Sequence, residues 1–388
     1  MLRVLTLSSL FPDASRPNFG VFVERQTLGL AAHPEVALKL VAPVGLPPWP
    51  LSRLGRYAPL SALPAHEEWK GVETWRPRFV NLPGTGGRFH ARTLAARLGP
   101  LLARVRRDFA FDVIDASFFF PDGVAAAALG RRFGVPVSIK ARGADIHHWG
   151  HSPSTGAHVI AAGAAADGLL AVSESMRADM VALGMDPEKI RVHRTGVDLD
   201  RFAPRDRLAA KAALGVTGPL VASVGALIPR KGHDIVIEAI AALPGVRLMI
   251  AGEGPERPKL AAQIARSGLG DRVTLMGSVA HGDLPGLLAA ADVMALASSS
   301  EGLANAWVEA LASGTPVVIP DAGGARELVT APDHGRIVAR TAPAFAAAIS
   351  EILSEPPAPA AVRAGAAGFT WEANSAALYD HLSGLVRG

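Results

Sequence analysis

Two glutamates stand in the stretch "SEGLANAWVEALASG" (residues 300–314), at 301 and 309. From Asn305 onward the stretch reads as a short apolar helix that stops at Gly314 and runs into the strand-like "TPVVI". A helix of that kind is expected to pack on a sheet, and a buried carboxylate needs hydrogen-bond donors. Asn305 and Glu309 lie four apart and share a helix face. The vicinal hydroxyls of a sugar are suitable donors; two structural glutamates capping neighbouring helices are the plainer explanation. A second candidate is Arg230-Lys231-Gly232, just before the helical "HDIVIEAIAAL". Cations at a helix start oppose its dipole by a few tenths to about 1 kcal/mol. A bound anion reverses that sign, since a helix N-terminus and a lysine together hold phosphate. A solvated basic turn is the competing reading. The loop 298–304 also ends at a helix start and offers backbone N–H groups to an anion.

Elements must bring these loops together. Short β-branched runs alternate with alanine- and leucine-rich helical stretches, the pattern of βαβ units and a parallel sheet. Strands are expected at 3–7, 37–42, 113–116, 135–141 and 169–172, then at 220–224, 247–251, 273–276, 293–296 and 316–319. The polar, proline-punctuated "GVDLDRFAPRDRLAAKAALGVTGP" separates the two series. It sets the expected domains at 1–198 and 199–371, with a final helix over about 372–388 rejoining the first. Open α/β sheets bind ligands beyond the carboxyl ends of their strands. In the second half those loops are "GALIPRKG", "GEGPER", "GSVAH", "SSSEGLAN" and "DAGG"; in the first they include "SSLFPDASRPNFG", "SFFFPDG" and "RGADIHHWG". Two such edges facing one another would make a cleft.

Composition narrows the chemistry. The 388 residues are 49% hydrophobic and 19% charged, suited to two well-formed cores and not to disorder. Cysteine is absent, which excludes disulfides, thiolate metal sites and cysteine nucleophiles. No run approaches the roughly 18 apolar residues of a membrane span. "MLRVLTLSSLF" reads as a first strand and not a secretion signal, so a cytoplasmic setting is expected. A net charge of +4 suits anionic ligands or surfaces. No nucleic-acid partner is expected.

The stretch around Glu301 and Glu309 resembles the Glu-x7-Glu motif of the GT-B glycosyltransferases, particularly the large retaining family 4. "ASVGALIPRKGHDIVIEAI", "LMIAGEGPER", "VTLMGSVAHGDLPGLLAAADVMALAS" and "RVHRTGVDLDRFAP" are similar to the same family. So are "LSSLFPDASRPNFGVFVERQ", "FPDGVAAAALGRRFGVPV" and "RGADI", so the likeness covers nearly the whole chain. It implies two Rossmann-like domains and a hexosyltransferase that draws on a nucleotide-diphosphate sugar, a UDP-sugar being favoured. It implies a glycan or lipid-linked acceptor in cell-surface polysaccharide or glycolipid synthesis. By that likeness Glu309 would bind the ribose hydroxyls and Glu301 the donor hexose. Gly302, Leu303, Ala304 and Asn305 would present amides to the distal phosphate, and Lys231, helped by Arg230, would neutralise the leaving diphosphate. Gly225 would belong to the donor-binding set, and the base would sit near Gly277 and Val279. Gly20, Arg142 and Asp145 would serve the acceptor side.

Two positions depart from the family pattern. Ala226 stands where an arginine is usual, and Arg230 is expected to supply that charge. Arg142 replaces the usual histidine before Gly-x-Asp; an arginine is not a base at pH 7, so it would bind phosphate or a hydroxyl. His147 and His148 are the nearby substitutes. "DLD" at 198–200 imitates a metal-binding Asp-x-Asp, but falls inside the family's "GVDLDRF", so no metal and no cofactor are expected. A glycoside hydrolase is disfavoured: its carboxyl groups lie about 5–9.5 Å apart, whereas eight helical residues span roughly 12 Å. A GT-B epimerase or phosphorylase competes with the transferase reading, as does a nucleotide-sugar-binding partner without activity.

Two stretches bear on the acceptor. "RFHARTLAARLGPLLARVRRDF" (88–109) interleaves arginines with apolar residues, and "PPWPLSRLGRYAPL" (47–60) places Trp49 and Tyr57 among arginines. Basic amphipathic segments of this kind can lie on anionic membranes, so a peripheral contact at the inner face of the cell membrane is one expectation. A domain helix with a charged outer face is the other.

Overall fold

The computed structural model describes residues 1–387. The chain divides into two compact units, one of residues 1–196 with 371–388 and one of 197–370. The first is built on eight strands in the order Ile190–Val192, Gly168–Ala171, Val137–Ala141, Val113–Ala116, Leu2–Leu7, Val36–Val41, Val72–Trp75 and His66–Trp69. Every neighbouring pair is parallel except the last, an antiparallel hairpin. Its two-residue turn, Lys70-Gly71, has positive φ at both positions, the geometry that matches strand twist. The second unit has six parallel strands in the order Val273–Gly277, Arg247–Ala251, Leu220–Val224, Val293–Ala295, Val317–Pro320 and Gly335–Val338. Both are open sheets, as the alternating pattern predicts.

Parallel strands buried on both faces need near-continuous apolar runs, and here they have them. Val221, Leu248, Ile250, Val293 and Val318 form the floor of the second core, covered by Ile237, Ile240, Phe345 and Ile349. In the first unit Val4, Val36, Val113 and Leu170 pack with Leu30 and with Leu378 and Leu382 of the final helix, Trp371–Arg387. That helix is fixed by polar contacts too. His381 Nε2 meets Ser138 Oγ at 3.0 Å, His193 Nε2 meets the Asn374 carbonyl at 2.8 Å, and Asn374 Nδ2 donates to the Arg194 carbonyl at 2.6 Å.

Six strands escape the sequence reading. Val44–Leu46 and Arg78–Val80 pair with each other as a separate ribbon, and His66–Trp69, Ile190–Val192 and Gly335–Val338 are edge strands. Short or charged, they lack the apolar runs that mark central strands; Val72–Trp75 alternates in "VETW" behind its Lys-Gly turn. The proline break at 356–359 contains the start of a further short helix, Pro359–Ala364. The arginine-rich stretch 88–109 forms the helix His90–Asp108, and its apolar stripe of Leu94, Leu98, Leu102 and Val105 is buried within the first unit. That stripe is therefore not a free membrane face. Trp49, Leu51 and Leu54 are exposed. No helix among the described residues is long and apolar enough to cross a membrane.

Candidate functional site

In the second unit the strand Leu220–Val224 pairs with Val293–Ala295, so the loops leaving their carboxyl ends emerge side by side. The first loop makes a tight turn, Pro229–Lys231, and then reaches Gly232. Gly232 has φ 64°, and a Cβ there would lie 2.2 Å from the Ala297 carbonyl oxygen. Only glycine fits this crossing. The second loop is tied to the first where Ser299 N donates to the Arg230 carbonyl at 2.8 Å.

This crossing brings Lys231 Nζ to 2.5 Å from Glu301 Oε1, and Arg230 Nη1 to 3.3 Å from Glu301 Oε2. The Arg230 guanidinium also donates to the Ser300 carbonyl. Glu301 is 8% exposed. Burial alone would raise its carboxyl pKa, but the Lys231 and Arg230 charges outweigh burial and hold it below the ordinary value. The stem of Lys231 runs along Gly225, about 3.5 Å from where a side chain on that glycine would begin. Ala226 is exposed and adds no charge.

The helix Asn305–Ala312 begins directly after this cluster, with Ala304 as its cap and no side-chain capping bond. Trp307 N donates back to the Ala304 carbonyl at 3.0 Å, so the N–H groups of Asn305 and Ala306 are the ones at the helix start left for another acceptor. Leu303 and Ala304 are buried, Asn305 is half-buried, and Gly324 N donates 2.7 Å to the Gly302 carbonyl from the loop after Val317–Pro320. Glu309 lies little more than one turn into the helix. Its Oε1 is 2.9 Å from His281 Nε2, and the His281 ring packs edge-on against Phe202 at 5.4 Å.

His281 is the neighbour that sequence reasoning missed. Its place in the loop after Val273–Gly277 was the available sign, because that loop leaves the same sheet edge. Gly277 closes that strand, with its carbonyl accepting from Gly252 N at 2.8 Å, and Val279 is half-buried.

The residues placed on the acceptor side lie in the first unit. Gly20 is left-handed and opens the helix Val21–Ala31; a Cβ there would meet the Leu10 carbonyl at 2.5 Å. Asp145 is fully buried and accepts from the backbone N–H groups of Arg142, Gly143 and Phe119 at 2.8–3.1 Å. It folds the "RGAD" loop. Arg142 donates Nε to the Ser117 carbonyl at 2.6 Å and Nη2 to Gln26 Oε1 at 3.1 Å; its buried Nη1 has no protein partner. Burial, opposed by the Asp145 and Asp115 charges, lowers its pKa to about 10, so it stays a cation at pH 7. His147 is paired with Asp179 at 2.8 Å.

Beside this loop, Asp122 is buried, and one of its oxygens accepts from Ser9 N at 2.7 Å and Ser9 Oγ at 3.0 Å. Burial raises its pKa, the Ser9 donors pull it back, and the Asp145 charge adds to the rise; the result is about 7, against an ordinary 3.8. Between those values the folded chain holds a proton that the unfolded chain has released, so this group lowers stability as pH rises through that window. Asp122→Asn keeps an acceptor for Ser9 and removes the charge. Its stability relative to wild type should therefore climb between about pH 4 and 7, by an amount on the order of a few kcal/mol at most. A difference that stays flat with pH in parallel melts would contradict this.

Comparison with known proteins gives the same partition. Residues 204–369 match the family "Glycosyl transferases group 1", and residues 35–201 match "Glycosyltransferase Family 4". The D-inositol 3-phosphate glycosyltransferases of Mycobacterium tuberculosis and Mycobacterium bovis are 44% identical over 168 residues, which is 41% of this chain and 35% of theirs. The matched stretch thus spans about a third of those relatives. Among solved structures, sucrose-phosphate synthase from Thermosynechococcus elongatus superposes with a TM-score of 0.80 at 21% identity, over the whole of both chains. HepE from Anabaena, solved with UDP-glucose, superposes with a TM-score of 0.75 at 22% identity, over 99% of this chain and 100% of that one. At those identities the likeness is one of fold.

Proposed function

Because its fold and two domain matches indicate a GT-B glycosyltransferase, we propose that this chain moves a hexosyl group from a nucleotide-diphosphate sugar to a hydroxyl of a glycan or lipid-linked acceptor. A UDP-sugar is the donor we favour, in keeping with HepE, whose structure holds UDP-glucose. The observation that carries the reading is the meeting of Lys231, Arg230 and Glu301 beside an uncapped helix start. Two cations and a set of free amides suit a diphosphate. A buried, ionised glutamate among them suits the hydroxyls of the sugar that the diphosphate carries.

In this reading the bond between the anomeric carbon and the phosphate oxygen breaks, and its electron pair leaves with the diphosphate. Lys231, Arg230 and the Leu303–Asn305 amides stabilise that growing charge. The acceptor oxygen bonds to the anomeric carbon from the face the diphosphate vacates, which retains configuration, and its proton passes to a departing phosphate oxygen. Glu309 holds the ribose diol, with His281 fixing one carboxylate oxygen and leaving the other for the ligand. The base rests near Gly277 and Val279. Lys231, Arg230 and the amides at the helix start are the groups assigned to the leaving charge, and the reading includes no divalent ion.

A thermal-shift screen of nucleotide sugars tests the donor half. A bound donor at about 100 times its Kd adds about 2.7 kcal/mol of stability, so UDP-hexoses should raise the melting temperature by several degrees, equally with and without a chelator. If no nucleotide sugar raises it, the reading fails; if only the chelator-free samples respond, its metal-independent part fails.

A further inference from the structure

The first unit contains a cavity of about 420 Å³ that none of the assigned residues lines. It lies where the sheet presents its loops: Ser9, Arg16 and Phe19 follow Leu2–Leu7, Phe120 follows Val113–Ala116, and Trp149 follows Val137–Ala141. The size falls within the range of small-ligand pockets, and the position is where open α/β sheets take their ligands.

Its walls are aromatic and its polar atoms few. The Phe120 and Trp149 rings lie 4.8 Å apart at 32°, and Phe19 is covered by the Arg16 guanidinium at 4.3 Å. Arg16 is in turn held by Asp13 at 2.7 Å. His90 lines the cavity; its ring is bonded to the Leu82 backbone, and its buried Nε2 has no protein partner. Ser9 Oγ gives its proton to Asp122 and so keeps its lone pairs for a donor from outside. Asn81 completes the polar set.

From this combination we infer that the cavity binds a neutral pyranose ring of the acceptor, its axial C–H face against Trp149 and its hydroxyls on His90, Ser9 and Asn81. The inference rests on the glycosyltransferase reading for the word acceptor, but not for the sugar. Aromatic rings carry a negative face that attracts the weakly positive C–H face of a sugar, and the hydroxyls have His90 Nε2, Ser9 Oγ and Asn81 in the same lining to bond to. A prenyl chain could use the rings, but would leave His90 Nε2 buried and unpaired, which costs binding.

Saturation-transfer NMR on the full chain tests this, with methyl α- and β-hexopyranosides as probes, farnesyl phosphate as the lipid arm and UDP-glucose as the donor control. At least one glycoside should receive saturation on its ring protons. Trp149→Ala should cut that signal about fivefold or more, the effect of losing one aromatic contact, while Trp149→Phe keeps most of it. His90→Ala, which leaves the Trp149 stack alone, should weaken the same glycoside by about the factor of one lost hydrogen bond. The UDP-glucose signal should be unchanged in every variant. If no glycoside gives a signal that depends on Trp149 or His90, or if only farnesyl phosphate does, the inference is overturned while UDP-glucose binding leaves the donor reading standing. If the glycosides respond and UDP-glucose does not, the donor reading fails and the sugar pocket remains.

Discussion

Lys231→Ala should lower turnover on the order of 10²–10³-fold, with a much smaller change in the donor KM. The reason lies in when the charge appears. In the bound donor the diphosphate already carries its formal charge, shared with Arg230 and the helix amides. As the sugar departs, a further negative charge develops on the bridging oxygen, and Lys231 is the half-buried cation placed for it. Lys231→Arg should not restore the rate, because a planar guanidinium cannot take the place of a compact ammonium at 2.5 Å from Glu301. The substitution has a structural side as well. It leaves the buried Glu301 with Arg230 alone, and breaking a buried ion pair is destabilising by several kcal/mol. Lys231→Ala combined with Glu301→Gln removes the stranded charge and should recover much of the stability but none of the rate. A Lys231→Ala enzyme with near-normal turnover, measured well below its melting temperature, would falsify the assignment.

Glu309→Ala should act on binding instead. A hydrogen bond to a charged group contributes about 1.5–3 kcal/mol, so the donor KM should rise roughly 10- to 100-fold while turnover at saturation changes little. The sharper readout is selectivity. Wild type should prefer a ribonucleotide donor over its 2′-deoxy counterpart, and Glu309→Ala should treat the two alike, because the missing carboxylate is what reads the diol. His281→Ala keeps that carboxylate but frees its second oxygen, so part of the preference should remain. Should Glu309→Ala lose turnover instead, with KM and the preference for ribose intact, the ribose role is wrong and a catalytic one takes its place.

The fold was legible wherever burial is two-sided. In the second unit the expected 220–224 and 247–251 coincide with observed strands, and the other three shift by one residue. Each is a β-branched or aliphatic run closed by a glycine or a polar loop, since a central parallel strand has no solvent face to encode. The missed strands are those with one. In "HEEW" His66 and Glu68 are exposed, in "VETW" Glu73 and the buried Thr74 break the apolar run, and the pairing of the two depends on a two-residue turn at Lys70-Gly71.

The amino-acid sequence by itself determined the alternation of strands and helices, the ligand-facing loops, and the residues within them capable of holding a diphosphate and a sugar. Only the tertiary structure decided who meets whom. Lys231 and Glu301 are far apart along the chain, and nothing local in either loop states that they touch. They do so because Leu220–Val224 hydrogen-bonds to Val293–Ala295 although other strands intervene in sequence. By the same rule Glu309 faces His281 and not a residue of its own helix. Strand order is a property of the whole sheet, set by how all the apolar faces are buried together, and so it lies beyond the reach of any single window of residues.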